Sequence, residues 1–355
     1  MKKYRYRIVK RDKSPSIYFQ IFLPFFSIII SLVVSSIFLI IARINPFNAI
    51  IGIFIGALGS KFSIYETIVK AIPIILTGTA VAIAFNSRFW NIGAEGQMYA
   101  GALGATWCGL LNLSIPKPFY IFLGILFGFL FGGLWALLPA FLKVKFKVDD
   151  VVTTLLLNFV MIYIVSAIVY GPWRDPISNW PQSPNLPENI IFPIIFPKSR
   201  VHIGLYISLA SVAFFYILIK KMKLGFELKA VGSSEKASNF LGLNVPKIII
   251  IASIISGGIA GLAGVSEILG LHYHLVDNFS PGYGYTGIVV AMLGRLEPIG
   301  VLLSSFFFSV IITGSQVMSR ISGINVYISD VIQGVTLLVM LSMLLFTEYE
   351  IRRFK

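Results

Sequence analysis

Residues 85–105 read FNSRFWNIGAEGQMYAGALGA, and this stretch decides how the rest of the chain is understood. It sets two Asn, a Glu, a Gln and a crowd of glycines and alanines into a sequence that is mostly apolar. Backbone groups left unpaired in hydrocarbon are costly, so polar, irregular backbone at membrane depth is tolerated only against protein or a wet cavity. The stretch therefore reads as a glycine-loosened helix that starts at a turn around Arg88 and then enters the membrane. On such a helix Asn91 and Glu95 stand one turn apart on a common face.

The surroundings support a membrane setting. The 355 residues are 57% hydrophobic and 12% charged, with a mean hydropathy of +0.86, whereas soluble domains carry about 25% charged residues. Apolar runs long enough for a helical span, about 20 residues, recur along nearly the whole length and leave no room for a sizeable soluble domain. The expected class is all-α, a polytopic integral membrane protein with about ten spans at 17–42, 66–85, 92–113, 119–141, 151–171, 201–219, 248–270, 284–294, 298–316 and 326–346. The eighth is too short to cross alone, and the run 48–59 reads as a re-entrant or interfacial helix.

The apolar run 17–42 is longer than the core of a signal peptide, about 7–15 residues, and is taken as a retained first span. The organisation is then a basic N-terminal tail over 1–16, a membrane domain over 17–347 that contains a polar loop at 220–247, and a C-terminal tail over 348–355.

The formal charge of +14 is spread between apolar runs rather than gathered on a polar face, which argues against a nucleic-acid partner. It orients the chain instead, because short cytoplasmic loops are enriched in Lys and Arg. With the N-terminus inside, 21 basic residues fall on cytoplasmic segments and seven on outer ones, with Lys70 inside the second span. Both termini are expected in the cytoplasm. The outer loop 171–200 carries seven prolines, which exclude regular helix, and Trp173 and Trp180, which suit a membrane interface. Gly124, Gly128 and Gly132 on one span, and Ser253, Gly257 and Gly261 on another, repeat at i+4 and let helix backbones approach closely.

Several signatures of chemistry are lacking. GYGYTG at 282–287 fits the letters of a dinucleotide fingerprint, but the strand and βαβ context it needs are missing. No G-x-x-x-x-G-K-[ST] occurs, so nucleotide chemistry must come from a partner chain. Cys108 stands alone, His272, His274 and Asp277 lack the spacing of a metal site, and no triad or catalytic carboxylate pair is present. No metal, no cofactor and no catalysis are expected of this chain. Ionisable residues at membrane depth are functional candidates by default: Lys70, Glu95, Glu267 and Asp330, with Lys70 a structural counter-ion for either glutamate. In the 220–247 loop, Gly232, Ser233 and Ser234 followed by EKASNFLG read as a cap and a short helix, with Ser234 as N-cap and Gly242 as stop.

Together FNSRFWNIGAEGQMYAGALGA, VDDVVTTLLLNF at 148–159, FELKAVGSSEKASNFLGLNVPK in the polar loop and GYGYTGIVVAMLGRLEPIG at 282–300 resemble the permease subunits of bacterial ABC importers of the sugar, nucleoside and branched-chain amino acid group. The NIGAEGQ spelling and basic tail look most like the nucleoside, or simple sugar, branch. The resemblance implies an ATPase subunit, an extracytoplasmic substrate-binding lipoprotein and a second related permease as partners, besides membrane lipid. It places the ATPase-coupling helix on Gly232, Ser234, Glu235, Lys236, Ala237, Ser238 and Gly242, with Lys236 where the general permease pattern has Glu. Asp150 and Thr286 stand where relatives often have Glu and Asp.

Two short, glycine-interrupted spans, the third and the eighth, lie five spans apart. An odd offset inverts their direction, which is the pattern of inverted repeats whose broken helices meet near the midplane. Asn91, Glu95 and Gln97, with Asn158, Glu267 and Tyr283, are the candidates for the translocation route. The competing reading is an ion- or proton-coupled secondary transporter with Glu95, Glu267 and Lys70 as the relay.

Overall fold

A computed structural model describes residues 5–10, 17–41, 43–321 and 326–354. In chain order these form strand β1 (Arg5–Lys10), helices α1 (Ile17–Ile41), α2 (Pro46–Leu58), α3 (Lys61–Phe85), α4 (Ala94–Leu110), α5 (Lys117–Phe146), α6 (Asp150–Tyr170), α7 (Gly204–Lys221), α8 (Lys223–Ser233), α9 (Glu235–Phe240), α10 (Val245–Glu267), α11 (Tyr283–Leu293), α12 (Pro298–Ile321) and α13 (Val326–Glu348), and strand β2 (Tyr349–Phe354). A π-helical turn, Ile268–His272, continues α10.

Every stretch read as a span falls on a helix. Among the described residues six helices, α3, α5, α6, α7, α10 with its π turn, and α12, are long and apolar enough to cross a membrane. The chain is a polytopic all-α membrane protein. The short runs behave differently: α4 has 17 residues and α11 has 11, so each reaches only part of the way on its own. The boundaries shift as well. Residues 201–203 belong to the loop before α7, and α5 runs on past Pro139 to Phe146, where Lys147 closes it in a left-handed conformation (φ 58). The polar loop contains α8, a helix the sequence reading did not anticipate.

The chain divides into two compact units. In the one formed by Met1–Ser63 and Val310–Lys355, α1 packs on α13, and β1 pairs antiparallel with β2, Arg5 opposite Phe354 and Lys10 opposite Tyr349. The basic tail and the C-terminal tail are thus a two-stranded ribbon over these residues. Asn45 caps α2, its side-chain oxygen accepting the Phe47 and Asn48 amides, and the Ile29–Ile41 part of α1 meets α2 at 119°.

The other unit, Ile64–Ser309, has α4, α5 and α10 at its centre. Their glycines explain the packing. A Cβ on Gly132 would run into the carbonyl oxygen of Gly257, one on Gly261 into that of Gly128, and one on Gly264 into that of Met98. Bare backbone at these positions lets the three helices touch main chain to main chain, as the i+4 repeats predict. Helix α3 is 89% buried over its spanning window, whereas α5 and α6 are only 33% and 22% buried and turn large residues such as Leu134, Phe159 and Tyr163 outward.

One end of this unit gathers Arg88, Lys143, Asp150, Lys220, Lys229 and Glu297; we call it the basic end. The opposite, loop end is built from the irregular 171–203 segment. It is tied down where Ser183 and Leu275 exchange hydrogen bonds and where Gln182 bridges Val276.

Candidate functional site

The quoted stretch is not a continuous helix. Helix α3 ends at Phe85, Arg88 turns the chain in a left-handed conformation (φ 58), residues 89–92 run without regular structure, and α4 starts only at Ala94. Asn91 therefore precedes the helix and does not share a face with Glu95.

Phe89, Asn91 and Gly93 are buried, and freed backbone groups along this segment find partners on α5 and α6. The Trp90 amide donates to Asp150 Oδ2 at 2.6 Å, the Ile92 amide to Thr154 Oγ1 at 3.1 Å, and Asn158 Nδ2 to the Ile92 carbonyl at 2.9 Å. Asn158 Oδ1 in turn accepts the Gly96 amide at 2.8 Å. Lys143 Nζ binds both the Arg88 carbonyl, at 2.6 Å, and Asp150, at 2.7 Å. The side chains of Asn91 and Gln97 form a reciprocal amide pair, 2.9 and 2.8 Å, and Asn91 Nδ2 also reaches Ser256 Oγ on α10. The Ser256 hydroxyl in turn donates to the Ala80 carbonyl of α3 at 2.6 Å.

Helix α11 begins beside the start of α4. A Cβ on Gly284 would collide with the Glu95 backbone, and the Gly284 amide donates to Glu95 Oε2 at 2.6 Å. The Ser280 hydroxyl also bonds the Glu95 carboxyl group. An acidic group at the first turn of α11 satisfies one of its orphan amides, where the helix dipole favours it. Thr77 of α3 donates to the Tyr283 carbonyl at 3.0 Å, and the Tyr99 ring packs on Phe279 with centroids 4.4 Å apart. The chain entering α11 thus runs antiparallel along the first turns of α4. The two broken spans meet at their N-termini, as the odd spacing predicts.

Of the predicted route residues, Asn91, Glu95, Gln97 and Asn158 converge on this junction, each buried and held by protein partners. Tyr283 is buried inside the protein, not at a lipid interface. Glu267, at the end of α10, faces His272 Nε2 at 3.6 Å. Asp330 is exposed on α13. The sequence reading missed Glu66 of α3, which binds Arg200 from the 171–203 loop in a bidentate pair, with Nε to Oε1 at 2.9 Å. It also missed Asp150 as a partner of Trp90; a carboxyl group at the start of a helix reads as capping unless the fold brings another chain segment to it.

At the basic end, Ser234 caps α9 as expected, its hydroxyl accepting the Ala237 amide at 3.2 Å, and Gly242 ends the segment at φ +78. Glu235, Lys236 and Ala237 form the first turn, Ser238 is buried, and Phe240 is 92% exposed. Gly232 is not a cap but the last turn of α8, pressed on the Asn86 carbonyl so closely that no Cβ fits. A cavity of about 340 Å3 opens between α9 and the α5–α6 turn, lined by Lys143, Lys147, Asp149, Asp150, Glu235 and Asn239. Among the described residues, no three His, Cys, Asp or Glu side chains come together as metal ligands.

Polytopic helices, two broken spans joined at their N-termini and a capped polar helix at one end coincide with a family match. Residues 63–341 match the branched-chain amino acid transport system / permease component family. The chain belongs to this permease family. Its relatives include a glucose ABC transporter permease protein of Haloferax volcanii, 31% identical over 92% of this chain and 89% of that protein. A nucleoside ABC transporter permease protein of Lactococcus lactis is 30% identical, covering 85% of each chain. A guanosine ABC transporter permease protein of Bacillus subtilis is 30% identical, covering 90% of this chain and 92% of that protein.

The permease is accordingly a non-catalytic, multi-pass membrane subunit of an ABC transporter. ATP hydrolysis resides in a separate ATPase subunit, and a related permease is the second membrane partner. The secondary-transporter reading falls with this assignment.

Proposed function

We propose that this permease carries nucleosides, or a simple sugar related to their ribose moiety, across the bacterial cytoplasmic membrane. Residues 17–347 form the transport domain and both tails lie in the cytoplasm. An extracytoplasmic binding lipoprotein delivers cargo at the loop end, and the ATPase engages Ser234–Gly242. Lipid and the second permease cover the outward apolar faces of α5 and α6.

The observation that carries this reading is the junction of α4 and α11, where polar side chains and two helix N-termini meet inside an apolar bundle. Such a junction offers donors and acceptors that exchange partners as the bundle rocks, which suits a hydroxyl-rich, uncharged cargo. Asn91, Glu95, Gln97 and Asn158 shape the route there; Tyr283 and Glu267 flank it. The pairing of β1 with β2 supports termini on one side of the membrane. The excess of Lys and Arg at the basic end supports a cytoplasmic position for that end of the Ile64–Ser309 unit. Two of the three relatives named above are nucleoside or guanosine permeases, which favours nucleosides over glucose.

The test is ATP-dependent uptake by proteoliposomes that hold the complete transporter. Labelled guanosine, adenosine, uridine, ribose and glucose are offered in parallel. Accumulation of at least one nucleoside, competed by others and not by glucose, is the expected result; accumulation of glucose alone would reassign the cargo.

A further inference from the structure

Two turns at the basic end hold backbone that ordinary residues avoid. Arg88 is left-handed (φ 58) in the turn before α4, and Arg295 and Leu296 are consecutively left-handed (φ 57 and 56) in the turn after α11. This conformation costs a non-glycine residue about 1–2 kcal/mol, and a bulky side chain such as Leu is an outlier there. Turns of this kind persist only where surrounding contacts over-determine them. The two turns flank the two helices that Glu95 joins in the interior, one turn on each.

The contacts that hold them converge on one segment. Asn86 Nδ2 donates to the Leu296 carbonyl at 3.1 Å and to the Ala82 carbonyl at 2.8 Å, tying one turn to the other. The Asn86 carbonyl meets Gly232 on the last turn of α8. Glu297 completes the α11–α12 turn. Its Oε2 lies 2.8 Å from Lys220 Nζ on the last turn of α7, and its Oε1 lies 3.5 Å from Lys229 Nζ on α8. Partial burial disfavours the charged carboxyl group, yet the two lysines hold Glu297 below the usual carboxylate range. Met222 separates α7 from α8, so the three charges bridge a break in the chain as well as fastening the turn.

We infer that Asn86 and Glu297 are positioning residues for energy coupling, a joint through which the α8–α9 segment moves both strained turns at once. A displacement of α9 reaches the α3–α4 turn through Gly232 and Asn86. It reaches the α11–α12 turn through Lys229, Lys220 and Glu297. The helices α4 and α11 then shift together rather than in succession. The inference rests on the importer reading, since it needs an ATPase that loads α9.

The test uses the complete transporter, this chain with its ATPase, second permease and binding protein, in liposomes where nucleoside uptake and ATP hydrolysis are measured together. Glu297→Gln and Asn86→Ala are expected to lower nucleoside moved per ATP hydrolysed by about tenfold. Assembly, judged by co-purification, and ATP hydrolysis are expected to persist. The charge-swapped triple Lys220→Glu, Lys229→Glu, Glu297→Lys is expected to recover at least about half of the ratio, since it restores the attraction with reversed sign. An unchanged ratio in Glu297→Gln, including one in which uptake and hydrolysis fall in proportion, overturns the inference. If Glu297→Gln fails to assemble, the triple decides: an assembled triple with recovered ratio supports the joint, and one without overturns it. A wild-type transporter that shows no ATP-dependent uptake of any offered nucleoside or sugar strikes the importer reading instead, and one that takes up a sugar alone changes the labelled cargo in which the ratio is read; both differ from a variant that transports as the wild type does.

Discussion

The Glu95 carboxyl group on the first turn of α4 accepts the backbone amide of Gly284 on the first turn of α11 at 2.6 Å, across 189 residues of sequence. Gly284 is what permits it, because any side chain there would strike the Glu95 backbone. The bond turns two incomplete spans into one composite element, with an acidic side chain supplying the acceptor that an orphan helix amide needs.

Replacing that acceptor exposes its contribution. Glu95→Ala leaves the Gly284 amide unpaired at a buried site, while Ser280 Oγ keeps the Gly282 and Tyr283 amides, and is expected to destabilise the protein by about 1–3 kcal/mol. Glu95→Gln keeps one acceptor oxygen and should lose less. Thermal unfolding of the detergent-solubilised protein reads both; equal melting temperatures for wild type and the Ala variant would mean the contact contributes nothing.

The α4–α10 crossing depends on Gly264, whose missing side chain makes room for the Met98 carbonyl. Gly264→Ala should lower stability by about 1–3 kcal/mol through overpacking against backbone that cannot yield. Gly334→Ala on α13, where a Cβ meets nothing within 4 Å, serves as the control. It should leave the melting temperature unchanged or raise it, because Ala outranks Gly in helix propensity. The reverse ordering would refute the packing account.

The Asn91–Gln97 amide pair can be weighed by a double-mutant cycle. Asn91→Ala, Gln97→Ala and the double variant are expected to show a coupling energy of about 0.6–2 kcal/mol, the range for interhelical polar contacts in membranes. Strict additivity in chemical unfolding would show that each amide acts through its other neighbours alone, for Asn91 the Ser256 hydroxyl.

His202 gives the loop end a pH dependence. It lies in the loop before α7, 1% exposed, with Nδ1 accepting the Gly204 amide at 3.1 Å and the Phe192 ring 5.8 Å away. Burial pushes its pKa down to about 4. Between that value and an ordinary histidine near 6.5, the unfolded chain binds a proton that the folded chain refuses. The stabilisation is therefore complete above about pH 6.5 and is lost as pH falls towards 4, amounting to roughly 3 kcal/mol over the window. His202→Gln should flatten the fall in melting temperature between pH 6.5 and 4 relative to wild type, with the carboxyl background common to both. Parallel curves would show that His202 titrates normally.

Much of this was legible in the residues. The i+4 glycines marked two close-packing stripes because close helix approach leaves small residues on one face, and the fold pairs the two stripes with each other, Gly132 on Gly257. Ser234 and Gly242 marked the ends of α9 because capping is local chemistry, decided within three or four residues. The odd interval between the two broken spans gave their opposed directions.

Other features were hidden for equally physical reasons. The sequence of α8, KLGFELKAVGS, has neither a start cap nor the length that marks a helix by itself, and it forms where Gly225 and Gly232 can pack on neighbouring backbone. Asn91 and Glu95 are spaced as if on one helix face, but irregular backbone through Ile92 sends one to Gln97 and the other to Gly284. The Glu66–Arg200 pair joins groups 134 residues apart.

By itself the sequence determined what local energetics and membrane partition determine: the helices, their caps, the close-packed stripes and the charge bias. Only the tertiary structure decided which polar groups meet. In a medium without water every buried amide and carboxyl group must find a protein partner, and that partner is chosen by the packing of helices far apart in the chain. Glu95 finds Gly284 on this account, and helix packing at the basic end likewise brings Asp150 to Trp90 and the half-exposed Glu297 to two lysines.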